Sequence, residues 1–282
     1  MEREPQMTSR IDADTPENWM AEGPVLLSYH QHVATLTLNR PEASNGMNIA
    51  LMRALHEAVM RCHADPRVRV VHLRGNGPNF CGGGDVREFA SKGERLGDFL
   101  REVTAYLQMA VGALIRLNSI VVAEVHGFAA GGGGLGLVCA SDIVIAGKSA
   151  RFLAGATRVG MAPDGGASVI LPRLVGFRRA ADIVLSNRIV AADEALAIGL
   201  VTRLAEDANL AEEARNSVLR FASSAPRATA AAKRLLWTGL GISVESCLPE
   251  EARTVAELSA TADAREGLAA VLEKRAPLFT GT

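Results

Sequence analysis

The chain has 282 residues, with Lys+Arg 30 against Asp+Glu 31, 48% hydrophobic residues and 22% charged ones. That length supports one large domain or one domain with a small helical appendage, and the balanced charge excludes a global field that would draw the protein onto nucleic acid or an anionic membrane. Cys62, Cys81, Cys139 and Cys247 form no CxxC pair, which fits a reducing compartment and argues against a disulfide framework or zinc knuckle.

Residues 1–23 are polar and acidic, lack the apolar core of a signal peptide, and read as a flexible N-terminal arm of a cytoplasmic protein. Alternation of Val25 and Leu27, then of Val33, Thr35 and Thr37, predicts a strand pair stopped at Pro41. Met52, Leu55, Val59 and Cys62 share one helical face, with Ser44 or Asn45 as cap and Asp65-Pro66 as the end. A buried strand over Val68–Leu73 runs into GNGPNFCGGGD and a helix from Val86. The same order returns with the strand Ser119–Val125, the turn HGFAAGGGGLG, a small-residue helix to Ala140 and a strand over Asp142–Ala146. Such a unit cannot bury its own apolar face, so several must stack around one core. Helices over Val169–Leu174, Ala180–Ser186 and Ala191–Ile198 and a strand over Leu200–Leu204 complete an α/β core assigned to residues 24–225. A C-terminal helical region is assigned to 226–282.

Three constellations carry possible chemistry. The glycines of Phe80–Asp85 make either a plain tight turn or a cradle whose backbone N–H groups approach an anion. A second glycine turn, Gly131–Gly134, favours the cradle, because two turns at the ends of two core strands can aim two donors at one oxygen. In the third, Val159–Ser168, Asp164 is either a helix cap or a catalytic carboxylate. Gly131, Gly133 and Gly136 spell GxGxxG, but the following helix is short and no acidic residue ends a second strand to hold a ribose. A phosphate loop through Gly147-Lys148-Ser149 would need glycine where Asp142 stands. Ser168 lies outside any GxSxG, and no metal-ligand cluster is present in the sequence.

The ordered segments LNRPEASNGMN (Leu38–Asn48), NFCGGGDVREF (Asn79–Phe89), VHGFAAGGGGLGL (Val125–Leu137), VGMAPDGGASVILPRLVG (Val159–Gly176), ALAIGLVTRL (Ala195–Leu204) and EKRAPLFTG (Glu273–Gly281) resemble the crotonase, or enoyl-CoA hydratase/isomerase, superfamily. The resemblance covers nearly everything after residue 24. It implies an α/β fold, a crotonase-like spiral of ββα repeats with a C-terminal helical region, assembled as a homotrimer or homohexamer. It also implies an acyl-CoA thioester as substrate, no separate cofactor and no metal. The N–H groups of Gly84 and Gly132 are implied as the oxyanion hole, with Gly133 as an alternative second donor because one extra residue separates His126 from Asp142. Gly82, Gly133, Arg87, Lys274 and Phe279 match substrate-binding positions, the last two reaching a neighbouring subunit.

Two departures matter. The glutamates that activate water in hydratases fall here on Leu135 or Gly136 and on Ala156, none of which exchanges a proton. Asp164 stands where isomerases of the family carry a base. The expected function is therefore a double-bond isomerase with Asp164 as proton shuttle. Hydration by another group, thioester hydrolysis and non-catalytic acyl-CoA binding are the alternatives. The acyl pocket is expected to draw its walls from Ser91–Tyr106 and from the C-terminal helices.

Overall fold

A computed structural model describes residues 15–282. Most of the expected arm, residues 1–14, lies outside the described residues, but its last part is not an arm: Glu17–Met20 forms strand β1. This edge strand pairs antiparallel with β2 (Val25–His30), and Trp19 stacks on Tyr29 with ring centroids 5.2 Å apart. Hairpin partner β3 (Val33–Leu38) leads to helix α1 (Ile49–Ala64), whose buried stripe is Leu51, Met52, Leu55, Ala58, Val59 and Cys62. Its cap is Asn48, not Ser44 or Asn45. The Asn48 side chain accepts the Leu51 N–H at 2.9 Å, whereas Ser44 and Asn45 take left-handed angles in the turn before it.

The chain then runs through β4 (Val70–Gly75), α2 (Val86–Ser91), α3 (Leu96–Arg116), β5 (Ile120–Val125), β6 (Phe128–Ala130), the short α4 (Leu137–Cys139), β7 (Ile143–Gly147) and β8 (Arg151–Leu153). After these come α5 (Leu171–Val175), α6 (Phe177–Ser186), β9 (Val190–Ala191), α7 (Ala192–Ala197) and β10 (Arg203–Ala205), then α8 (Leu210–Ala222), α9 (Pro226–Gly239), α10 (Val244–Ser259) and α11 (Ala262–Glu273). The last strand begins later than expected because Leu200 and Val201 pack in the core as a turn, their N–H groups on the Ala195 carbonyl.

Two sheets result. The larger has the order β1-β2-β3-β4-β5-β7-β10 and is parallel from β3 onward; the smaller is β6-β8-β9. Isolated parallel pairing of Cys81 with Ala129 extends the smaller sheet, so successive units give one strand to each sheet before turning into helix. This is the mixed α/β arrangement that the resemblance implies. Strand β5, IVVAEV, is buried at every position, as a central parallel strand must be. Helices α1 and α3 cover one face of the large sheet and α8 part of the other.

One buried charge ties α9 to this core. Lys233, 4% exposed, donates to the carbonyls of Leu114 and Ser119, both at 2.9 Å, and pairs with Asp142 at 2.8 Å. Asp142 also accepts the Trp237 indole N–H at 2.7 Å and the Val121 N–H at 2.8 Å.

Candidate active site

The first glycine turn is held by its neighbours. Asn45, fully buried, donates to the carbonyls of Asn76 and Asn79 at 2.9 Å, and Arg40 pairs with Asp85 at 2.9 Å. Met47 donates to the Gly83 carbonyl at 2.7 Å and accepts from the Asp85 N–H at 3.0 Å. Those two bonds flank Gly84 and turn its own N–H to the opposite edge, where no described residue accepts it.

On that opposite edge lies the second glycine turn. Cys81 N–H donates to the Phe128 carbonyl at 3.0 Å and Ala130 N–H to the Cys81 carbonyl at 2.9 Å, which stitches β6 against the first turn. The backbones then touch: a Cβ on Gly131 would lie 3.2 Å from the Gly83 Cα and 3.8 Å from the Gly84 nitrogen. Gly131 has φ +57°, so only glycine takes this approach without strain.

Beyond Gly131 the expected α-helix is a π-helical turn over Gly132–Gly136. Such a turn holds one more residue than an α turn. A π turn here has room for the extra residue between His126 and Asp142. Gly132 lines the cavity that both glycine turns border, and Gly133 does not; a Cβ on Gly133 would sit 2.3 Å from Met47 Cγ and 3.0 Å from Cys81 Sγ. Of the two expected second donors, Gly132 is thus the one that borders the cavity.

The third constellation packs on this π turn. Gly165 and Gly166 take φ +58° and +86°, and a Cβ on Gly165 would meet the Gly132 oxygen at 2.7 Å. The preceding Asp164 is thereby carried over Gly132, close enough that a Cβ there would lie 2.1 Å from its Oδ1. It caps no helix, because α5 begins only at Leu171. Burial pushes its carboxyl above the usual aspartate range, while hydrogen bonds from the backbone N–H groups of Asp164 itself and of Gly132 work in the other direction.

Gly82, Gly84, Gly132 and Asp164 line one cavity of about 350 Å3. Its walls are mostly apolar, from Met47, Phe89, Leu100, Val103, Val159 and Met161. Leu100, Val103 and Thr104 fall in the segment expected to supply a wall, whereas the C-terminal helices contribute nothing within this chain. Asp164 is the one acidic side chain among the described residues that line it, and Ala156 stands beside it without a carboxylate. Leu135 is buried in the core.

Arg87, Lys274 and Phe279 do not reach the cavity. Arg87 is exposed on α2; Phe279 lies against Gly267, with its carbonyl accepting from Arg69 at 3.3 Å. Sequence reasoning missed Arg158, the only cation among the described lining residues, which donates to the Asn187 carbonyl at 3.2 Å. Nothing in the periodicity marks it, since it sits in a single 3₁₀ turn, Ala156–Val159, too short to leave a repeat. No group of three or more potential metal ligands occurs among the described residues.

Comparison with known proteins decides the family. The enoyl-CoA hydratase/isomerase family profile matches residues 28–282. The chain belongs to the enoyl-CoA hydratase/isomerase family. It is 37% identical over 262 residues to a Rhodobacter capsulatus protein named probable enoyl-CoA hydratase, spanning 90% of this chain and 100% of that one. It is 34% identical over 260 residues to 2,3-dehydroadipyl-CoA hydratase of Escherichia coli, spanning 91% of this chain and 98% of that one. The crystal structure of enoyl-CoA hydratase from Mycobacterium smegmatis superposes with TM-score 0.85 at 32% identity, over 92% of this chain and 99% of that one. The protein is accordingly an acyl-CoA enzyme of the crotonase superfamily.

Within this family setting Gly132→Ala makes a sharp test of the packing just described. The new methyl would occupy the place of Asp164 Oδ1 and press on Leu107 Cδ2, 2.9 Å away. The expected result is a fall in kcat of about 10²-fold, the scale set by an ångström of misplacement, with an unchanged circular dichroism spectrum.

Proposed function

We propose that the protein is an enoyl-CoA isomerase in which Asp164 carries the migrating proton. The thioester oxygen would lie between the N–H groups of Gly84 and Gly132. Asp164 removes a proton from C2 of a 3-enoyl ester, the charge of the resulting dienolate rests on the two N–H donors, and the protonated carboxyl returns the proton to C4. The double bond then lies between C2 and C3, and CoA remains attached throughout. No cofactor beyond the CoA of the substrate enters.

The observation that carries this reading is the single acidic side chain among the described lining residues of a mostly apolar cavity, set over one of the two glycine turns. A 1,3-proton shift needs one carboxylate, whereas hydration through paired glutamates needs two. The Gly132 N–H favours the ionised form of Asp164 and so ties the base to the expected oxyanion hole.

Names of the relatives favour a second reading, hydration of a 2-enoyl ester by a water-activating group other than paired glutamates. Offering 3-enoyl-CoA and 2-enoyl-CoA separately, with absorbance of the conjugated thioester and product mass as readouts, separates the two. Isomerisation gives conjugation at constant mass; hydration adds the mass of water and sinks the one-carboxylate reading. Since burial raises the Asp164 pKa, the base form is lost as pH falls through a value above that of a free aspartate. The acid limb of kcat should accordingly lie above the ordinary aspartate range, and a rate flat down to pH 4 would contradict the assignment.

The same reading includes assembly. Leu236, Val244, Val255, Leu268, Val271 and Leu272 on α9, α10 and α11 are exposed large apolar side chains, the kind of surface that a homotrimer or homohexamer covers. Arg87 would meet the CoA phosphates, and Lys274 and Phe279 would act on CoA held by a neighbouring copy. Among the described residues no helix is long and apolar enough to cross a membrane.

A further inference from the structure

On the face of the large sheet away from α1 and α3, the side chains of β4 alternate Val70, His72, Arg74, with Val71 and Leu73 turned to the main core. Val70 joins Ile120, Val122 and Ile145 under α8 in an apolar cluster. Toward the strand ends the same face becomes polar. His72 on β4 and Glu124 on β5, each 8% exposed, meet at 2.9 Å, and Arg74 follows them. With His30, Thr35 and Arg215 they line a groove of about 370 Å3 between the sheet and α8.

Among the described residues of this groove two arginines face one carboxylate. Glu124 is the sole acidic side chain among the described lining residues; it is bonded to His72 and also feels the charge of Arg74, while neither Arg74 nor Arg215 forms an ion pair or hydrogen bond with any described residue. The Arg74 Nε is buried without an acceptor. A guanidinium N–H sealed from water and left unpaired costs stability, so its presence on an interior strand calls for an acceptor. Arg215 stands on α8 with Ala211, Val218 and Leu219, the helical spacing that aims one face at the groove.

We propose that this groove is a second binding site, for a small oxyanion of the phosphate or carboxylate kind, held by Arg74 and Arg215 beside the His72–Glu124 pair. A planar fork of N–H donors suits either oxyanion. The site lies on the opposite side of β4 and β5 from the thioester cavity and shares no lining residue with it.

Titration calorimetry of the full chain with inorganic phosphate, and separately with acetate, at constant ionic strength tests this. The expected result is saturable binding of at least one of them that saturating CoA does not displace. Arg74→Leu should weaken it about tenfold or more, and Arg215→Gln by about threefold, on the scale of one charge-assisted bond. Should Arg74→Leu fail to fold, the exposed Arg215→Gln decides alone. Absence of saturable binding, competition by CoA, or affinity unmoved by the variants would each overturn the site. Failure to bind either anion together with a smaller assembly mass in Arg215→Gln would point instead to a contact between copies of the chain. None of these readouts depends on isomerase turnover, so the site stands or falls apart from the proposed reaction.

Discussion

Asp164→Asn is expected to lower the turnover of a 3-enoyl-CoA ester by about 10² to 10⁴-fold while leaving CoA-ester affinity within a few-fold of the native value. Asparagine keeps the shape of aspartate and an oxygen for the Gly132 N–H, so the cavity and the glycine turns remain in place. Only the capacity to take and return a proton is removed. The stability of the variant supplies an independent check. In the folded state burial raises the Asp164 pKa, so the ionised form is disfavoured there relative to the unfolded chain. At pH values below the unfolded pKa this penalty is absent; it grows as pH rises and is complete above the folded pKa. The Asn variant should consequently melt at an equal or higher temperature than the native protein at pH 7 to 8, with the advantage vanishing toward pH 3. Lost turnover accompanied by a lower melting temperature at neutral pH would mean that Asp164 braces the turn, and the proton-shuttle role would fail.

Much of this architecture can be read from periodicity, because burial on one face or on both leaves a repeat in the sequence. The stripe Met52, Leu55, Val59, Cys62 and the buried run of Ile120–Val125, apolar but for Glu124, are of that kind. What escapes has no such repeat. Glu17–Met20 reads as polar, and its order comes from one neighbouring strand and the stacking of Trp19 on Tyr29. Choosing Asn48 over Ser44 or Asn45 as a cap depends on backbone angles set by the turn, and Asn45 serves instead as a buried clamp on the first glycine turn. A run of glycines carries no side-chain pattern, so the π turn at Gly132–Gly136 can be known from the sequence only as one residue too many.

The site shows the same division. Its two glycine turns and Asp164 are visible as motifs, but their meeting depends on Gly165 lying against Gly132 and on the stitch between Cys81 and Phe128–Ala130. Neither contact is local in sequence. Arg158 enters from a short 3₁₀ turn, and Gly133 stays out of the lining although its neighbour Gly132 and its contact Met47 both belong to it. Family resemblance assigns Lys274 and Phe279 to CoA held by a neighbouring copy, and within one chain they lie away from the cavity.

The largest loss of stability is expected from Lys233→Met. Its ammonium is enclosed by the Leu114 and Ser119 carbonyls and by Asp142, and burial disfavours the charged form while Asp142 supports it. Methionine fills similar volume, so packing changes little; the damage is electrostatic. Asp142 would be left as a buried carboxylate with only the Trp237 and Val121 N–H donors, and two backbone carbonyls would lose their partner. Removing one member of a buried pair costs about 3 to 5 kcal/mol. Urea unfolding should show a drop of that size, and adding Asp142→Asn to the variant should recover part of it by removing the stranded charge while keeping an oxygen for Trp237. Because Lys233 ties α9 to the end of α3 and to β5, the variant should also loosen the helical region before the sheet, seen as faster amide exchange in α9 than in β5. Equal exchange in both, with an unchanged midpoint, would show that the pair contributes no net stability and that the apolar packing of α9 alone holds it to the core.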